Sequence, residues 1–128
     1  MYYIKVTPEF GRGLYASHTI YHAQTIETAE VLVLNQSDTE VVNTTDLRYY
    51  TFKYDDTRDC LVLGNGEIFN HSDEPNVSYK LMDIEGRKQM CFIALKRINR
   101  GEQLFIDYKA DVVSTVVSEY TSNKSLME

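Results

Sequence analysis

The sequence is short of basic charge, cysteine and long apolar runs, and it has no tryptophan. Its 128 residues carry 13 Lys+Arg against 19 Asp+Glu, a net charge of −6. Duplex nucleic-acid affinity comes largely from Lys and Arg on phosphates, so a direct nucleic-acid binder is disfavoured and a basic partner is favoured. Two cysteines, Cys60 and Cys91, are too few for a disulfide scaffold or a four-cysteine zinc site. No run approaches the roughly 18 apolar residues that a membrane-spanning helix needs. The N-terminus, Met1-Tyr2-Tyr3-Ile4-Lys5-Val6, has no basic stretch followed by an apolar run. These absences predict an intracellular protein without membrane partners, cytoplasmic, or in a host nucleus if the source is a virus or a secreting bacterium. The length fits one domain and is short for a doubly wound dinucleotide fold.

Aromatic residues are abundant instead, with ten tyrosines and five phenylalanines. Most tyrosines are expected on half-buried strands, with several left to line a pocket. Strands are predicted at Tyr2 to Val6, Gly13 to Ala16, Val31 to Leu34 (ended by Asn35-Gln36-Ser37-Asp38), Leu47 to Tyr54, Cys60 to Leu63 and Gln103 to Asp107. Val77 to Ile84 and Lys88 to Ala94, around Glu85-Gly86-Arg87, read as a hairpin. The only helical stripe is Val112, Val113, Val116, Val117 and Tyr120. The expected fold is mostly β, with a core over 1–110 and a C-terminal helix and tail over 111–128.

Gly11-Arg12-Gly13-Leu14-Tyr15-Ala16 admits three readings. It matches a dinucleotide fingerprint, which requires a helix to open at the glycines. It also fits a turn between strands, or a loop whose bare backbone lies against a flat cofactor. His18 and His22 have the spacing of zinc ligands on a helix, but the surrounding sequence is strand-like, so surface histidines are expected and no metal is assigned. The Asn-x-Ser/Thr matches, among them Asn70 and Asn76, read as chance glycosylation patterns.

Between two strong strands stands Gly64-Asn65-Gly66-Glu67-Ile68-Phe69, followed by Asn70-His71-Ser72-Asp73-Glu74-Pro75-Asn76. Further on comes Gly101-Glu102-Gln103-Leu104-Phe105-Ile106-Asp107-Tyr108. With Gly11-Arg12-Gly13 before them, these segments resemble the SET domain of protein lysine methyltransferases, over about residues 1–110. The length resembles that of the smallest viral and bacterial members.

The resemblance implies several small curved sheets with a pseudoknot-like threading of 70–76 against the C-terminal segment, plus a short C-terminal helix. It implies S-adenosylmethionine as cofactor, held by Gly11, Arg12, Gly13, Leu14 and Tyr15 and by Asn70 and His71. Tyr108 would be the catalytic tyrosine, and Tyr50 and Tyr79 would wall the substrate lysine channel. The implied activity is lysine N-methylation of a basic protein tail, most readily a histone. The alternative is a catalytically inactive SET module that binds such a tail. Glu67 and Asp73 stand where Arg and Cys are common in the family. No cysteine cluster follows Tyr108 to close the channel, which would leave that task to the helix around 112–120 or to a second subunit. The shortest viral relatives are dimers, and the valine stripe would offer such an interface.

Overall fold

A computed structural model of the protein describes residues 1–108. Runs of β-branched and aromatic residues form nine strands among the described residues: β1 (Tyr2–Thr7), β2 (Gly11–Ala16), β3 (Thr25–Val33), β4 (Phe52–Lys53), β5 (Asp59–Val62), β6 (Asn70–His71), β7 (Val77–Ile84), β8 (Arg87–Ala94) and β9 (Phe105–Ile106). They make a two-stranded β1–β2 sheet, a five-stranded sheet in the order β4-β5-β3-β8-β7, and a two-stranded β6–β9 sheet. The described residues divide into two compact units.

The first unit takes in residues 1–28 and 68–79 together with the run from 91. Its β1 and β2 are antiparallel, from Tyr2 opposite Ala16 to Thr7 opposite Gly11. Leu14, Ala16, Ile20, Phe92, Ile98 and Leu104 are sealed from solvent, and Phe69 lies against Phe92 with ring centroids 4.7 Å apart. Tyr15 is buried under Tyr3, the rings stacked at 5.8 Å. The turn after Asn99 runs back along β2: Ala16 N–H donates to Glu102 O, and Leu104 N–H to Leu14 O. β6 and β9 are parallel, Asn70 opposite Phe105 and His71 opposite Ile106.

The second unit takes in residues 29–67 and 80–90. Val31 pairs with Val62, Val33 with Cys60, and Cys60 in turn with Phe52. Cys60 is fully buried, and burial first, then the charges of Asp59 and Glu67, push its thiol up to about 12. Both cysteines are free. Glu85 and Gly86, at the tip between β7 and β8, have φ of 54° and 82°. A tight hairpin turn requires such positive values, as the sequence predicted.

Two predictions fail in this unit. The Asn35-Gln36-Ser37-Asp38 stop is also a helix start: α1 (Gln36–Val42) follows, with Asn35 as N-cap accepting from Asp38 N–H at 2.7 Å. Leu47 to Tyr54 is not a strand. A 3-10 turn occupies Asp46–Tyr50, and only Phe52 and Lys53 pair. The hydroxyls of Thr44 and Thr45 donate to the carbonyls of Val41 and Val42, and Thr45 caps the turn, so local bonds win over a ladder. The strand expected over Gln103 to Asp107 shrinks to β9, with Gln103 contributing one isolated bridge to Tyr15. The predicted helix and valine stripe of 112–120 lie outside the described residues.

Candidate functional site

The three sequence motifs meet within the first unit. β2 begins at Gly11, and no helix opens at its glycines, which removes the dinucleotide reading. Arg12 and Gly11 are exposed, while Gly13 is buried. A Cβ on Gly13 would stand 2.5 Å from Gln103 Oε1, closer than atoms pack, and 3.0 Å from Asn70 Nδ2, a tight contact. Glycine is therefore the residue that lets Asn70 and Gln103 approach the β2 backbone. The Leu14 and Tyr15 side chains belong to the core, and their backbone is paired as well: Leu14 O accepts from Leu104 N–H, and Tyr15 bridges Gln103.

Asn70, on β6, donates from Nδ2 to the Arg12 carbonyl at 2.9 Å and to Gln103 Oε1 at 2.7 Å. A carbonyl can only accept, so the amide orientation is fixed, and Asn70 Oδ1 is left to accept from a ligand. Asn76, only 6% exposed, clamps the other end of the motif: its Nδ2 donates to Gln103 O and its Oδ1 accepts from Phe105 N–H, both at 2.8 Å.

Tyr108 follows β9 and is tied twice to residues 69–71, at and just before β6. Its N–H donates to His71 Nδ1 at 3.0 Å, and its hydroxyl donates to the Phe69 carbonyl. The ring lies 5.1 Å from the imidazole and is 54% exposed. Burial around the hydroxyl raises its pKa above the ordinary tyrosine value, so it is a neutral donor at physiological pH. Tyr79, on β7, is buried, and its hydroxyl donates to the carbonyl of Asp107, the residue before Tyr108. Tyr50 falls in the second unit, at the end of the 3-10 turn, 38% exposed.

His71, Asp73 and Asp107 bring possible metal-ligand atoms within 4.8 Å of one another. The chemistry of the imidazole opposes a metal. Nδ1 accepts from Tyr108 N–H, so in the neutral ring Nε2 carries the proton and donates to Asp73 Oδ1 at 3.0 Å. His18 and His22, expected as surface histidines, are exposed and not helical, and His18 Nδ1 bonds Thr19 O.

The geometry adds residues that motif reading did not assign: Gln103, the Phe69 carbonyl and Asp73. Gln103 fills the variable position of Gly-Glu-x-Leu, and the other two flank Asn70-His71-Ser72. Neighbourhood to a motif was the only signal for any of them.

The SET domain family model matches residues 11–109. The chain is 39% identical over 106 residues to the histone-lysine N-methyltransferase trithorax of Drosophila virilis, covering 77% of this chain and 3% of that protein. It is 31% identical over 106 residues to the H3 lysine-37 specific histone-lysine N-methyltransferase of Schizosaccharomyces pombe, covering 82% of this chain and 71% of that one. Among solved structures, a SET8 protein from Cryptosporidium superposes with a TM-score of 0.70 at 24% identity, covering 86% of this chain and 58% of the other. The chain thus spans a few per cent of the trithorax relatives and most of the yeast one. With the family match covering all three motifs, the chain belongs to the SET domain family.

Proposed function

We propose that the protein is an S-adenosylmethionine-dependent protein-lysine N-methyltransferase acting on a basic protein tail, with a histone as the first substrate to test. The observation that carries this reading is the convergence of Gly13, Asn70 and Tyr108: a close-packed backbone, a carbonyl acceptor left without a donor among the described residues and a neutral hydroxyl, all around β6.

The residues fit the cofactor. Gly13 makes room for the Asn70 and Gln103 amides against β2, Asn70 Oδ1 is left to accept a ligand N–H or ammonium, and Arg12, next in the chain, is exposed. S-adenosylmethionine supplies, when bound, an electrophilic methyl group on a sulfonium. The chain must then deliver a neutral lysine amine in line with it. Free lysine has a pKa near 10.4, so deprotonation at pH 7 costs roughly 4.6 kcal/mol. A tyrosine-lined, poorly hydrated channel penalises the ammonium and lowers that cost. Tyr108 and Tyr79 suit the task because their hydroxyls orient an amine without adding a negative charge that would hold its proton. Positioning supplies most of the remaining rate. His71, accepting from Tyr108 N–H, holds the catalytic tyrosine in place. The negative net charge attracts Lys-rich tails. An intracellular location follows from the same reading.

The test is incubation with labelled S-adenosylmethionine and core histones, with a mixed basic-protein extract alongside and Tyr108→Phe in parallel. Label on a histone lysine that falls at least about a hundredfold in the variant is the expected result. Label only in the extract moves the substrate away from histones. Cofactor binding without any transfer overturns the enzyme reading in favour of a binding module.

A further inference from the structure

We infer that Gln103 is a positioning residue for the cofactor: together with the Arg12 carbonyl it holds the Asn70 amide so that Asn70 presents oxygen, not nitrogen, to the ligand. The inference rests on the S-adenosylmethionine reading above and goes beyond it to a residue outside the fixed motif positions.

A terminal amide can be turned by half a rotation at little steric cost, which would offer NH2 where oxygen had been. Two acceptors oppose that rotation. One is the Arg12 carbonyl, 2.9 Å from Asn70 Nδ2, and the other is Gln103 Oε1, at 2.7 Å the shorter contact. Each takes one Nδ2 hydrogen, so the donors of Asn70 are exhausted, and Oδ1 accepts no bond among the described residues. A cationic or N–H-bearing part of the cofactor meets an acceptor that needs no rearrangement, which lowers the ordering cost of binding.

Gln103 is itself held firmly. It is 9% exposed, its carbonyl accepts from Asn76 Nδ2 at 2.8 Å, and it forms a bridge with Tyr15. Its Oε1 lies where a Gly13 Cβ would be, so glycine at 13 and glutamine at 103 are parts of one arrangement. Within it, Gly13 supplies the space, Gln103 the acceptor and Asn70 the ligand contact.

The required property at 103 is a hydrogen-bond acceptor of glutamine length. Gln103→Glu keeps it, whereas Gln103→Met keeps the shape and removes it. Neither change touches a reacting atom, so the signature is in affinity and not in chemistry. Dissociation constants for S-adenosylmethionine and S-adenosylhomocysteine are measured by calorimetry on the parent and the two variants, together with KM for cofactor, kcat and Tm. The expected result is a loss of about tenfold in affinity for Gln103→Met, the size of one lost hydrogen bond near a charge, with kcat at saturating cofactor unchanged. Gln103→Glu should stay within about threefold of the parent. The same affinity in all three proteins, or an equal loss in both variants, overturns the inference. A parent protein that binds no S-adenosylmethionine overturns the functional reading instead, so the two failures are distinct. Should Gln103→Met not fold, side-chain amide NMR of the parent decides: both Asn70 Nδ2 protons should exchange slowly, and fast exchange of either one overturns the inference.

Discussion

The motif region and the segment from Asn35 to Asp59 use similar polar residues in opposite ways. Around β2, β6 and β9, side chains reach far along the sequence: Asn70 bonds Arg12 and Gln103, Asn76 bonds Gln103 and Phe105, and Tyr108 bonds His71 and Phe69. Between Asn35 and Asp59 most bonds close within three residues. Asn35 caps Asp38, Thr45 caps Leu47, and Asp55 takes Thr57 and Arg58. Long-range polar bonds define a geometry that no local sequence preference can supply, while short-range ones only shape a turn. The first region should therefore tolerate little change and the second a great deal.

The sharpest break of that contrast is Gly13→Ala. The added methyl would collide with Gln103 Oε1 and crowd Asn70 Nδ2, breaking the bond between them and straining the one from Asn70 to the Arg12 carbonyl. We expect cofactor affinity to fall by about a hundredfold or more and methyl transfer to be lost, since two hydrogen bonds and the backbone approach fail together. Near-parental affinity by calorimetry would mean the motif region yields as easily as the other.

Asn76→Ala tests the same region through stability. Both ends of a buried amide bond the backbone, so its removal leaves the Gln103 carbonyl and the Phe105 N–H unpaired. The cost should be about 3 kcal/mol, a fall in Tm of roughly 10 °C by calorimetry. The matching change in the other region is Asn35→Ala, which removes one exposed cap. It should cost only about 1 kcal/mol, or roughly 4 °C, and leave methyl transfer unchanged. Equal losses at the two asparagines would dissolve the comparison.

The same division explains what could be read from the sequence. The hairpin of β7 and β8 was legible because alternating apolar residues and Glu85-Gly86 carry their own instructions. The site was legible only as motifs: Asn70, His71 and Tyr108 lie where the resemblance implies they should meet. Gln103 was not legible, because its bond to Asn70 crosses 33 positions and leaves no local pattern. Helix α1 was missed for the opposite reason. Its seven residues are polar and β-branched, only Thr39 is buried, and its cap coincides with a strand stop. The alternation of Tyr50, Phe52 and Tyr54 imitates a strand, but the threonine hydroxyls of 44–45 turn the chain aside first.

Glu67 is the refinement of the comparison, a short-range bond that is partly buried. Its Oε1 accepts from Val62 N–H at 2.9 Å, five residues away. Burial, the larger influence, raises its pKa above 4.5, and the Val62 bond only partly offsets this. A carboxyl whose pKa is higher folded than unfolded binds more protons in the native state. Stability therefore falls as pH rises from the unfolded pKa through the folded one, and the penalty is complete at neutral pH. Glu67→Gln keeps an oxygen for Val62 and removes the charge. We expect it to raise Tm by about 2 °C at pH 7, with the gain vanishing below about pH 3, where the parent carboxyl is protonated in both states. A variant less stable than the parent at pH 7 would mean that the carboxylate, like the motif side chains, answers to a partner beyond its own turn.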